Sequence, residues 1–381
     1  MLESFLANKP LFYDEIDYTR MPRIYKSIKN EIKLPKIIHL VGTNGKGTTG
    51  RFLASALYSL GYNTGHYTSP HILEFNERIW LNGKNVSNET LDNFHQKLLR
   101  LLAAEDAEAL SYFEYTTLLA LLIYQECDYV ILEAGLGGEH DATAVFENIL
   151  TVVTPIDRDH EAFLGETIEQ IATTKLNAIK THAILANQKY EDVYRVAKRL
   201  HRKKELTIES FEYYIDKEDR DNAEILAKEM GLVEYLKENL MVAIATLKHL
   251  NISYTKENFY NSRLFGRLTQ LNENVLLDVG HNELAAKKVR DSLEPKKYIL
   301  VYNSYKDKNY KEILSILKPI IDHVEIIEID EQRVAAKEAL VEALSQNMIA
   351  YRDFKGVEPG ESYLVFGSFS VVEAFLKGYS G

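Results

Sequence analysis

Cysteine is almost missing: Cys127 is the only one in 381 residues. No internal disulfide can form, so the fold must stand on its core, as in a reducing cytoplasm. Cys127 lies between Tyr124 and the apolar run 129–132, with no basic neighbour to lower its pKa. It reads as a small buried apolar residue and not as a nucleophile. Long hydrophobic runs are also missing, and none approaches the roughly 20 residues of a membrane span. The opening MLESFLANKP carries Glu3 and only short apolar stretches, which reads against a signal peptide. There is no basic excess: 45 Lys and Arg stand against 56 Asp and Glu, a net charge of −11. That argues against coating nucleic acid, yet leaves room for a local nucleotide site. Internal repeats and low-complexity linkers are absent too.

What remains is globular composition, 46% apolar and 27% charged, which excludes a mostly disordered chain. A length of 381 residues exceeds one ordinary domain and implies two. Residues 1–35 read as one or two short helices punctuated by Pro10, Pro22 and Pro35. Ile37–Val41 reads as a strand, followed by a glycine turn and a helix whose apolar residues Phe52, Leu53, Ala56, Leu57 and Leu60 recur on a 3.6-residue period. Largely helical sequence fills 90–126, and 129–133 is a continuous apolar strand ending in an acid. Strand 149–154, helix 166–180 and strand 183–186 follow. The polar stretch 203–234, with its charge run Asp216–Asp221, reads as a solvated insertion or a pair of edge strands. Helix 240–250 precedes a second run of alternating strands and helices from 274 to 377. Buried strands separated by helices specify mostly parallel sheets. The expectation is an α/β protein with domains 1–265 and 266–381.

Between the first strand and its helix lies Val41-Gly42-Thr43-Asn44-Gly45-Lys46-Gly47-Thr48-Thr49. Glycines let a backbone approach polyphosphate, and the amides and helix dipole offset its charge. Lys46 can reach terminal phosphate oxygens, and the Thr48 hydroxyl can coordinate an accompanying Mg²⁺. The general phosphate-loop pattern is not met, because Gly47 separates Lys46 from Thr48. The bland alternative is a glycine turn that merely starts a helix. Further on, Glu133 ends a strand ahead of Ala134-Gly135-Leu136-Gly137-Gly138. A carboxylate there can hold Mg²⁺ against nucleotide phosphates; the alternative is an exposed acid at a strand end.

The loop 42–48 resembles that of the folylpolyglutamate synthase/dihydrofolate synthase family, relatives of the Mur peptidoglycan ligases. So do Thr68-Ser69-Pro70-His71, Phe75-Asn76-Glu77-Arg78-Ile79, Tyr112-Phe113-Glu114, Glu133 to Gly138 with Asp141-Ala142-Thr143, and Asp159-His160 with Leu164-Gly165 and Thr167-Ile168. Asn239, Gly266-Arg267, Asp278-Val279-Gly280-His281-Asn282 and Gly367-Ser368-Phe369 complete an ordered series. The resemblance implies an N-terminal P-loop NTPase-like domain and a C-terminal Rossmann-like glutamate-ligase domain. It implies an ATP-dependent amide ligase that joins L-glutamate to dihydropteroate or a reduced folate through an acyl phosphate.

By that resemblance Thr43, Asn44, Gly45, Lys46, Gly47 and Thr48 hold the phosphates. Two Mg²⁺ ions lie among Thr48, Ser69, Glu133 and His160. Asn239 approaches the adenine, and Arg267 and Asp278 hold nucleotide. His281 serves glutamate binding, positioning or base catalysis, and sequence does not choose among these. Lys46, His160, Lys175 and His281 form the implied catalytic set, with Lys175 at the position the family carbamylates. Tyr112-Phe113 could stack on a pterin or be ordinary core aromatics. The chain departs from the family at Glu139 for Arg and Ala144 for Asn, and Lys175-Leu176-Asn177-Ala178-Ile179 replaces Lys-Ala-Gly-Ile. Small-molecule partners only, no nucleic acid or membrane, and a monomer are expected. A Mur-type ligase acting on a peptidoglycan precursor and a nucleotide-dependent switch are the competing functions.

Overall fold

The computed structural model describes residues 1–10 and 17–379, and the chain falls into two compact units. One holds the residues up to 263 apart from Val233–Tyr235; the other holds Val233–Tyr235 with the residues from 264 onward. Of the N-terminal stretch expected to form short helices, residues 11–16 lie outside the described residues, and Leu2–Ala7 and Arg20–Ile28 are helical.

The first unit carries β1 (Lys36–Val41), β2 (Thr64–Tyr67), β3 (Ile79–Leu81), β4 (Lys84–Asn85), β5 (Tyr129–Glu133), β6 (Leu150–Val153), β7 (His182–Leu185) and β8 (Thr207–Ser210). They form one sheet in the order β4-β3-β2-β5-β1-β6-β7-β8. From β2 to β8 every neighbour is parallel, and β3 and β4 add an antiparallel hairpin at one edge. β5 and β6 are buried throughout, and β1 all but its first residue, because helices cover both faces. Helices Arg20–Ile28, Asn88–Leu101 and Tyr112–Ile123 share one apolar core, while Ile168–Leu176 and Glu191–Lys204 share another. Leu40 of β1 stands beside Glu133 of β5, and Val41 beside Val153 of β6. Three central strands therefore end side by side, where ligands of such sheets bind.

The stretch 203–234 is not the irregular insertion that its polarity suggests. β8 is an edge strand, but Lys217–Met230 is a helix, and the charge run begins it. Asp216 caps the helix by accepting from the amide of Asp219, whose carboxylate accepts from the amide of Asp216 in return. Such a cap is worth about 1 kcal/mol. Lys248 and the Tyr254 hydroxyl then neutralise and bond Asp219, which is why a buried carboxylate is tolerated.

The second unit carries β9 (Thr269–Asn272), β10 (Val275–Asp278), β11 (Tyr298–Tyr302), β12 (Ile321–Ile326), β13 (Tyr351–Asp353) and β14 (Tyr363–Phe366). Their order is β13-β12-β11-β14-β10-β9, parallel except for β9. The edge strands β9 and β13 escape a reading by hydrophobic runs because both are largely exposed and polar. Among the described residues no helix is long and apolar enough to cross a membrane.

His39 on β1 and His66 on β2 are buried in the first unit. Burial pushes His39 down to about 3, helped by Lys180, and holds His66 well below its ordinary value, helped by Arg51. Both stay neutral in the fold while the unfolded chain protonates near pH 6.5. Stability is therefore full above that pH and falls as the pH drops below it, by up to about 1.4 kcal/mol per pH unit for each histidine. Urea unfolding of His39→Gln between pH 7 and 5 should show a shallower loss of stability than the wild type; parallel curves would contradict this.

Candidate active site

The glycine loop leaves β1 at Gly42 and enters the helix Lys46–Ser59 through Gly45, which is left-handed at φ 89°. A Cβ at Gly45 would stand 2.7 Å from Oδ1 of Asn239, so only glycine lets the loop lie against that side chain. Asn239 is buried on the helix Glu234–His249. The amides of Thr43 and Asn44 both donate to the carbonyl of Pro155, at 2.9 and 3.2 Å, where β6 ends. The Thr43 hydroxyl exchanges hydrogen bonds with the backbone of Asp157 at 3.0 and 3.1 Å. These two residues thus shape the loop. The amides positioned for an anion are those of the first helical turn, Lys46 to Thr48, which have no partner within the helix.

Lys46 folds back over its own loop. Its amine donates to Gly42 O at 3.1 Å and Thr43 O at 3.4 Å, and lies 3.9 Å from Oε1 of Glu133. Glu133 is buried at the end of β5, and the Thr68 hydroxyl just beyond β2 donates to its Oε2. The loop lysine and the strand-end acid therefore converge. Thr48 is buried in the same first turn, and Ser69, half-buried, follows Thr68.

Lys175 sits near the end of helix Ile168–Leu176, 4% exposed, and its amine donates to Gly42 O at 3.0 Å. Gly42 O therefore receives two lysine amines. Burial, and then Lys46, pull the Lys175 pKa down to about 7, against smaller opposing pulls from Asp159 and Asp141. An amine held that low is partly neutral near neutral pH, an unusual state for lysine. His160 adopts a left-handed φ of 52°, with its amide donating to Oδ1 of Asp159 at 3.0 Å and its Nε2 3.9 Å from the same oxygen.

The loop 134–141 after Glu133 is held from inside by Asp141. Its carboxylate accepts from the amides of Leu136 and Thr143 and from the Thr143 hydroxyl. That hydroxyl, having donated, accepts from Nε2 of His39 at 2.7 Å, which sets the His39 tautomer. Burial raises the Asp141 pKa against these bonds. Phe113 packs its ring where a Cβ on Gly135 would stand, and Tyr112 lies beneath the Arg78 guanidinium at 5.2 Å. Glu139 points outward and accepts from Asn177 at 2.7 Å, so its reversed charge is engaged by a second departure in the chain. Ala144 is buried in the short turn Ala142–Val145.

In the second unit Asp278 is buried at the end of β10. It accepts from the amides of Leu268 and Gly280 and from the Tyr235 hydroxyl. Burial raises its pKa and Arg267 lowers it. Arg267 lies 5.2 Å over the ring of Phe369 and donates to Gly266 O. Nδ1 of His281 lies 3.2 Å from Val279 O. Sequence reasoning had not assigned a site role to Thr68, Asp141, Thr143 or His39. The Asp-Ala-Thr spacing, with an aspartate able to bond its own turn, was the available signal.

Among the described residues no three His, Cys, Asp or Glu side chains cluster as a metal cage. A magnesium site needs none: Mg²⁺ is held by one or two carboxylates together with substrate phosphates and waters. Buried Glu133 and the Thr48 hydroxyl beside the glycine loop fit that donor set.

No protein-family model matches the chain. It is similar to the dihydrofolate synthase/folylpolyglutamate synthase of Escherichia coli K12, 30% identical over 81% of this chain and 77% of the relative. The crystal structure of Helicobacter pylori folylpolyglutamate synthetase superposes with a TM-score of 0.81 at 40% identity, covering 99% of this chain and 97% of that one. The Yersinia pestis bifunctional folylpolyglutamate synthase/dihydrofolate synthase, complexed with AMPPNP and a Mn ion, shares the fold at 22% identity, with a TM-score of 0.80 over 99% and 96% of the chains.

Gly45→Ala should destabilise the chain by about 1–3 kcal/mol, from left-handed strain and collision with Asn239. Adding Asn239→Ala should return the collision part only. Denaturant unfolding of the two single variants and the double checks this; strictly additive losses would contradict the contact.

Proposed function

Because the chain belongs to the folylpolyglutamate synthase/dihydrofolate synthase family, we propose that it joins L-glutamate to dihydropteroate, to reduced folates through γ-links, or to both, using ATP. The reading rests on the convergence of Lys46 and Glu133 at the carboxyl ends of β1 and β5, 3.9 Å apart. An oxygen of the substrate carboxylate attacks the γ phosphorus, and ADP leaves. The glutamate nitrogen then attacks the acyl phosphate carbon, phosphate departs, and the amine loses its proton.

Each step gathers negative charge, and the residues present are suited to holding it. The Lys46 amine neutralises the β and γ phosphates, while the amides of Lys46 to Thr48 orient them, with Gly45 letting the loop approach and Thr43 and Asn44 keeping it in shape. Thr48 and Glu133, with Ser69 and His160, would hold one or two Mg²⁺. When bound, such an ion offsets phosphate and carboxylate charge and polarises the transferring phosphoryl group. Thr68 fixes the Glu133 carboxylate by its hydrogen bond. Asn239 borders the adenine, and Arg267 and Asp278 serve the nucleotide from residues 266–381, the ligase domain in this reading. His281 positions glutamate or receives its proton.

Lys175 is assigned a carbamate. Its neutral amine attacks CO₂ at carbon, forms the N–C bond and releases one proton to solvent. A cation beside Lys46 thereby becomes an anionic oxygen donor, which relieves the crowding of two amines at Gly42 O. The partners are small molecules, the chain acts as a monomer, and its single thiol suits a reducing cytoplasm.

Phosphate release with Mg-ATP and glutamate should require dihydropteroate or tetrahydrofolate. Release only with a muramyl dipeptide precursor would overturn the reading. Lys46→Ala should keep the melting temperature within a few degrees yet lose most turnover, by about a hundredfold or more; wild-type turnover would remove Lys46 from the phosphate role. Gentle mass analysis in bicarbonate should find the mass of one CO₂ added at Lys175, increasing from pH 6 to 8 as the amine deprotonates. An unmodified lysine throughout that range would remove the carbamate.

A further inference from the structure

Helix Ile168–Leu176 is short, and the amides of Asn177, Ala178 and Ile179 bond the carbonyls of Thr173, Lys175 and Leu176. The loop after β5 supplies the partner of the remaining one, Thr174 O. A Cβ on Gly138 would stand 2.7 Å from Lys175 O and 2.8 Å from Lys175 Cα, so the two backbones touch with no room for a side chain. The next amide, Glu139, donates to Thr174 O at 2.9 Å. The Glu139 carboxylate then reaches past the helix end and accepts from Nδ2 of Asn177 at 2.7 Å. Oδ1 of the same amide accepts from the Lys204 amine at 3.0 Å, at the end of helix Glu191–Lys204. A carboxylate on one side and an ammonium on the other leave the Asn177 amide one orientation.

Glu139, Asn177 and Lys204 thus form a strap over the end of the helix that carries Lys175. The Lys175 backbone lies under the strap, and its amine reaches Gly42 O. Its side chain spans a fixed reach, so a shift or fraying of the last turn moves the amine off the phosphate loop.

We propose that Glu139, acting through Asn177 and Lys204, is a positioning residue that holds the Lys175 amine where it takes up CO₂. This rests on the carbamate assigned above. The chemistry is the same balanced step, amine nitrogen to CO₂ carbon with one proton released. Glu139 takes no part in it and touches no substrate. Glutamine at 139 would keep an acceptor for Asn177, whereas lysine would remove it and repel Lys204.

The test measures carbamate occupancy of the full chain by ¹³C NMR in labelled bicarbonate, for wild type, Glu139→Gln, Glu139→Lys and Asn177→Ala. At subsaturating bicarbonate, Glu139→Lys and Asn177→Ala should lose about fivefold in occupancy, the equivalent of one net hydrogen bond. Glu139→Gln should stay within about twofold of wild type, on the same bond energetics. Raising bicarbonate should restore both occupancy and kcat in the weakened variants, with the KM for ATP unchanged. Wild-type occupancy in Glu139→Lys and Asn177→Ala would overturn the strap alone. A wild type without any carbamate would overturn the Lys175 assignment, and the strap's role with it. If Glu139→Lys fails to fold, Asn177→Ala, which adds no charge, decides the matter.

Discussion

One carbonyl organises the first unit. Gly42 O, the first acceptor beyond β1, receives the amines of Lys46 at 3.1 Å and Lys175 at 3.0 Å. Two ammonium groups that close in a buried setting repel each other strongly. Burial first, and the Lys46 amine second, lower the pKa of Lys175, the more deeply buried amine, to about 7. The result is two lysine amines on one carbonyl, one of them with a strongly lowered pKa.

Everything around that carbonyl serves to keep it there. Pro155 O binds the amides of Thr43 and Asn44, tying the loop to the exit of β6. Asn239 closes on Gly45. Asp141 folds the loop after β5 onto itself, and Gly138 lets that loop lie on the backbone of Lys175. The three strand ends and two loops form a rigid frame, as electrostatic catalysis requires, because donors that had to rearrange would return their advantage. The flanking helices hold the frame through two separate apolar cores on one face of the sheet, where Ile37, Val130 and Leu132 belong to one and Val41, Val153 and Leu185 to the other.

Much of this was legible in the residues. Alternating apolar strands and periodic helices specify the parallel sheets, and the loop 42–48 and Glu133 mark the ends that matter. Other parts were not legible for definite physical reasons. The run 216–221 looked solvated because capping aspartates and surface charges have the same composition; only the reciprocal bonds of Asp216 and Asp219 separate them. β9 and β13 lack the apolar run that betrays a buried strand. Glu139 read as a charge reversal in isolation, since its partner Asn177 lies 38 positions away. Asp278 drew attention as a ligand for nucleotide, and its own turn uses it heavily through Leu268 and Gly280. A linear pattern names residue types at positions, whereas these features depend on pairs brought together by packing.

The central claim is that Lys46 and Glu133 serve one metal-bound triphosphate, with the lysine acting on phosphate and the acid acting through the ion. Calorimetric titration of a non-hydrolysable ATP analogue into Glu133→Gln, with and without Mg²⁺, separates the two. The account predicts that the variant loses the Mg²⁺-dependent part of the affinity while binding the metal-free nucleotide no more weakly than wild type does. An unchanged gain in affinity on adding Mg²⁺ would contradict it.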